Sequence, residues 1–228
     1  MTIHLRNALE QLKKKLLTLS AMVEESVQKA VRAMRDRNSE LAQQVIDGDI
    51  EIDQMEVDVE EECQKILALH QPVAHDLRLI IAVLKINNDL ERIGDLAVNI
   101  AERTIFLVQH GRTEATLDFP GMSTKVQEML RKSLDALVRQ DGRLAYQVCT
   151  MDDEVDAMNA EMYHQVQQGI REHPDQMEAL IHLLSVSRHL ERMGDLTTNI
   201  AEDVIYMTRG EIVRHRTEHY EPAEENSV

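Results

Sequence analysis

The stretch "LERIGDLAVNIAE" (residues 90–102) returns as "LERMGDLTTNIAE" (190–202), ten of thirteen positions unchanged and 100 residues later. Both copies carry apolar residues three and four apart with acids between them, the pattern of an amphipathic helix. Working outward, "MVEESVQKAVRAM" (22–34) aligns with "KVQEMLRKSLDAL" (125–137), and "LAQQVIDGDIEIDQM" (41–55) with "LAYQVCTMDDEVDAM" (144–158), both at an offset of 103. The chain is therefore an internal duplication with a period of about 100 residues.

Each repeat reads as three helices. Leu5, Leu9, Leu12, Leu16, Leu19 and Val23 form a seam for the first, and Asn38 or Ser39 is placed to cap the second. The second helix should end before Pro72, and the third should run from near Asp76 to about Gln109. "QDGR" (140–143) and "EHPDQ" (172–176) supply the same turns in the second repeat, and "GRTEATLDFPGMS" (111–123) reads as a linker. Twelve Met, eight Gly, four Pro and 3% aromatic residues suit helices better than strands. The expected fold is all-α: two tandem antiparallel three-helix bundles, residues 1–110 and 122–212, followed by a polar tail at 213–228.

Composition narrows the function. A net charge of −16 argues against a nucleic-acid surface and against direct contact with an anionic membrane. The longest apolar run, "LIIAVL" (79–84), is too short to span a bilayer, and the N-terminus lacks a signal core, so a cytoplasmic protein is expected. Cys63 and Cys149 are isolated and read as reduced thiols. Phosphate loops, nucleophile elbows and paired Ser/His signals are absent.

The acids are the chemical signal. On the third helix Glu91, Asp95 and Asn99 are spaced i, i+4, i+8 and share one face, opposite the stripe Leu79, Ala82, Ile86, Ile93, Ala97 and Ile100. Arg92 and Arg192, next to their glutamates in sequence, are expected to point elsewhere. Asp49 and Asp53 have the same four-residue step on the second helix. Folding the hairpin at Pro72 sets Asp53 level with Glu91, nineteen residues on either side, and Asp49 level with Asp95, twenty-three on either side. Asp152, Asp156, Glu191, Asp195 and Asn199 repeat the arrangement about His173–Pro174, and Glu25 and Glu128 on the first helices fall at a matching height.

A single acidic step is ordinarily a solvated face. Carboxylates about 5 Å apart, however, repel by roughly 3 kcal/mol at an effective dielectric near 20. A converging set must separate, take up protons or bind a cation. Oxygen donors of this kind suit divalent or trivalent ions such as magnesium, calcium, manganese or iron better than a thiol-type zinc site. Gly94 and Gly194, in mid-helix, point either to close approach at the acids or to helix packing alone.

At "GDIEIDQME" (48–56), "QPVAHDLR" (71–78) and "LERIGDLAVNIAE" (90–102), with their diverged second copies, the chain resembles the PhoU family, accessory proteins of bacterial phosphate-specific transport. The resemblance covers about residues 5–210 and implies bound metal (magnesium, manganese, iron or zinc) on the acidic faces. It also implies a homodimeric negative regulator linking the ATPase of a phosphate ABC transporter to a sensor histidine kinase, touching the membrane only through those partners. Arg78 in "QPVAHDLR" is a candidate partner contact, and the second repeat ("HPDQMEALI") lacks it. A carboxylate-bridged metal enzyme and a metal-buffering structural protein are the alternatives.

Overall fold

A computed structural model describes residues 3–110, 119–210 and 213. The elements are α1 (Ile3–Asp36), α2 (Ser39–His70), α3 (Ala74–Gln109), α4 (Phe119–Arg139), α5 (Gly142–Cys149), α6 (Asp152–Glu172) and α7 (Met177–Arg209), with a 3-10 turn at Pro174–Gln176. The fold is all-α, and each half is a helical bundle built from one repeat.

Local chemistry sets the helix ends. Asn38 accepts a hydrogen bond from the Leu41 amide at 2.9 Å and caps α2. The Gln71 backbone turns left-handed (φ 46°) ahead of Pro72 and ends that helix. Asp141 caps α5 through the amides of Arg143 and Leu144. The seam read from sequence in α1, Leu5 to Val23, is buried throughout, as is the stripe from Leu79 to Ile100 in α3.

Two expectations are corrected. The sequence places the linker as far as Ser123, but residues 119–123 already belong to α4. Pro120 occupies its first turn, where a missing amide costs nothing, and its carbonyl accepts from the hydroxyls of Ser123 and Thr124. The second helix of the second repeat is also not continuous. It breaks at Thr150–Met151, where the Thr150 hydroxyl bonds back to the Gln147 carbonyl at 2.8 Å and the Met151 amide reaches only to Val148. The matching residues of the first repeat, Asp47–Gly48, run through α2 unbroken. The remaining linker residues, 111–118, and all of the tail except Val213 lie outside the described residues.

The halves are not separate bodies. Lys85 meets Asp203 near one end of α3, and Phe106 stacks on His182 near the other. The two long helices therefore pack antiparallel, with Gly94 level with Gly194. One continuous hydrophobic cluster runs through this seam, joining Leu12, Ile80 and Leu90 to Met122, Leu190 and Ile200.

Candidate functional site

Asp49 is the acid of the first ladder that has an enclosed oxygen. A Cβ built on Gly94 would stand 3.5 Å from Asp49 Oδ1 and 3.3 Å from Ile52 Cγ2, so the bare glycine lets α2 lie close to α3. Gly194 is built alike, with 3.4 Å to both Asp152 Oδ1 and Val155 Cγ1. Close helix packing and close approach of an acid are thus the same feature. Oδ1 of Asp49 is enclosed and accepts no hydrogen bond, and Oδ1 of Asp152 is enclosed as well, with the Thr198 hydroxyl close to that carboxylate. An enclosed carboxylate oxygen without a partner bears a desolvation cost.

Titration follows from that enclosure. Burial, then Asp53 and Asp95, raise the Asp49 carboxyl to about 6. Burial, then Asp195 and Asp156, raise Asp152 to about 6, with the Thr198 hydroxyl opposing the shift. Asp152 also opens α6, where the helix amides favour negative charge, unlike Asp49 within α2. Glu91 is pushed up by burial and by Asp95, Asp53, Glu56 and Asp49; Glu191 by burial, Asp195 and Asp156; Asp195 by burial and Asp156. In the second repeat, oxygens of Asp156, Glu191 and Asp195 lie within 4.8 Å of one another, the spacing a single cation can bridge.

The other residues singled out by sequence have distinct surroundings. Asn99 donates to the Asp95 carbonyl at 2.8 Å. Glu25 pairs with Lys29 at 2.7 Å on α1, beside a groove that includes Gly48. Glu128 pairs with Lys132 at 2.8 Å on α4. Both first-helix glutamates therefore have lysine partners, whereas the acids of the ladders have none among the described residues. Arg78 is drawn to the end of α7, its guanidinium carbon 3.6 Å from a Cβ built on Gly210.

Sequence reasoning missed three features. Glu56 belongs to the first acidic set: it accepts from Asn87 Nδ2 at 2.9 Å and acts on Glu91. Arg92 and Arg192, expected to point away, line the acidic face. Most important, the two ladders meet. A cleft of about 360 Å³ on the α3–α7 seam is lined by Arg92, Asp95, Leu96 and Asn99 and by their repeat mates Arg192, Asp195, Leu196 and Asn199. Only the antiparallel packing of α3 on α7 brings those positions to one place.

Tandem helical repeats that pack through their longest helices, each with a carboxylate ladder, define a class of two-repeat helical-bundle proteins. The sequence matches the PhoU domain twice, over residues 16–104 and 119–204. The chain belongs to the PhoU family. It is 41% identical over 212 residues to the phosphate-specific transport system accessory protein PhoU homolog of Aquifex aeolicus, covering 91% of this chain and 94% of that one. The homolog of the same name from Pseudomonas aeruginosa is also 41% identical, over 91% of this chain and 86% of its own. The crystal structure of PhoU from Pseudomonas aeruginosa superposes with a TM-score of 0.88 at 40% identity, covering 90% of this chain and 99% of that chain. The phosphate transport system regulatory protein PhoU from Streptococcus pneumoniae superposes at 0.79 with 28% identity, over 92% and 99% of the two chains. No helix among the described residues is long and apolar enough to cross a membrane.

Proposed function

We propose that this protein is a cytoplasmic, non-enzymatic accessory protein of phosphate-specific transport, a homodimer that restrains uptake and phosphate-starvation gene expression when phosphate is plentiful. Its partners in this reading are the transporter ATPase and the sensor histidine kinase. The supporting observation is the pair of carboxylate ladders, each with an enclosed Asp oxygen that has no cationic side chain paired to it, in a family whose relatives are called phosphate-specific transport system accessory proteins.

Within this reading, Asp49, Asp53, Glu91 and Asp95 hold a cation in the first repeat, and Asp152, Asp156, Glu191 and Asp195 hold another in the second. A hard divalent or trivalent ion accepts these all-oxygen sets and offsets their mutual repulsion. Bound there, it ties α2 to α3 and α6 to α7, so the helices face partners as rigid surfaces. The enclosed oxygens support the fit: they need a positive partner that no side chain supplies.

Two experiments test the reading. A deletion strain should express alkaline phosphatase even in high phosphate, and normal repression there would remove the regulatory role. Elemental analysis of native protein should find metal that an Asp49/Asp95/Asp152/Asp195 quadruple alanine variant lacks; equal metal in both would remove the ladder assignment.

A further inference from the structure

The cleft on the α3–α7 seam has a symmetric lining and asymmetric surroundings. Around Arg92, carboxylates stand close to the basic side chains. Arg92 lies 4.0 Å from Asp89, and one helical turn or more beyond, Lys85 pairs at 3.1 Å with Asp203, itself 2% exposed. Around Arg192 the equivalent positions carry no carboxylate. His189 replaces the aspartate found at Asp89, and Arg103 replaces the one found at Asp203.

Arg103 follows Asn99 by one turn on the same face of α3, so it extends the cleft at this end. Arg103, Arg188 and Arg192 make no hydrogen bond or ion pair among the described residues. Nε of Arg103 and both ring nitrogens of His189 are enclosed and unpartnered. Arg103 and Arg192 are near enough to act electrostatically on His189. In a chain of net charge −16, Arg192 on the cleft wall and Arg103 one turn past Asn99, neither hydrogen-bonded nor ion-paired to a carboxylate among the described residues, are a local exception. Guanidinium forks match the paired oxygens of a tetrahedral oxyanion, and free donors meet an acceptor there without breaking an existing pair.

We infer that the Arg192 end of the cleft is a binding site for a phosphate-class oxyanion, held by Arg192 and Arg103 with His189 behind them, and that the Arg92 end is not. The site is built from the chain's own nitrogens and stands whether or not the accessory-protein reading holds. Glu191 and Asp195 border it, so a cation on the second ladder would strengthen anion binding by masking their charge.

Equilibrium dialysis of the full chain against radiolabelled inorganic phosphate, once with EDTA and once with magnesium, tests the inference. Saturable binding is expected in at least one condition. Arg192→Gln and Arg103→Gln should each weaken it about tenfold, the scale of one charge-assisted hydrogen bond. Arg92→Gln should leave it unchanged within about twofold, well under that scale. His189→Asp installs the carboxylate of the other end, so it should abolish binding while circular dichroism confirms an intact fold. Displacement by AMP would assign the site to the phosphate group of an ester, and failure to displace would assign it to the free anion. Absence of saturable binding in both conditions overturns the inference. So does an Arg92→Gln loss as large as that of Arg192→Gln, or phosphate binding that survives in the folded His189→Asp protein.

Discussion

Asp49 shows how one residue ties the fold to the site. Its Oδ1 is enclosed against the Gly94 backbone, and its carboxyl is raised to about 6 by burial and by its acidic neighbours. Asp49→Asn keeps the shape and removes the charge. In metal-free protein at pH 7.5 it is expected to raise Tm by a few degrees in a calorimetric melt, and in natively purified protein to lower the metal found by elemental analysis. Gly94→Val is expected to cost about 2 kcal/mol in urea unfolding, because the larger side chain meets Ile52 and Asp49 in a packed interface. The i, i+4 step was legible at these residues because helix period alone puts such groups on one face. The enclosure of a single oxygen was not, since it depends on how closely the next helix approaches.

At the scale of elements, the α3–α7 seam governs the molecule. Lys85 joins it to Asp203 and lies 5.3 Å from the Tyr206 ring centroid. Lys85→Met leaves Asp203 buried without that cation and is expected to cost about 3 kcal/mol in urea unfolding, as for other broken buried pairs. The three helices of the first repeat, the turns at Pro72 and Pro174, and a cap at Asn38 or Ser39 were readable, because each rests on local propensity or on one side chain near its own backbone. The break at Thr150–Met151 was not readable from the alignment with Asp47–Gly48, since a short back-bonded turn outweighed the repeat pattern. Glu25 and Glu128 carried the same height signal as the ladders, but each has a lysine four residues on. A nearby cation satisfied them locally.

For the whole molecule, the ladders link stability to pH. Asp49 and Asp152 have folded values near 6, above the ordinary carboxylate value they would have unfolded. The folded state then binds more protons than the unfolded one across that interval. Their contribution is present in full below the unfolded value and is lost as pH rises through about 6. Metal-free protein is therefore expected to melt at a higher temperature at pH 5 than at pH 7.5. A stabilising divalent ion should narrow or reverse that difference by binding the deprotonated ladders. Differential scanning calorimetry with EDTA and with added metal checks both.

Period and repetition let the sequence by itself determine an all-α chain, two copies of a three-helix unit, and carboxylates level with one another across each hairpin. These are short-range consequences, set by 3.6 residues per turn and by where a proline reverses the chain. Tertiary structure alone decided that the two copies meet through their longest helices, packed antiparallel. That packing turns two acidic faces into the walls of one cleft. It also sets Asp203 beside Lys85 at one end while leaving Arg103 with His189 at the other. Which residues oppose one another across a helix pair depends on packing between distant segments, and no local pattern encodes it.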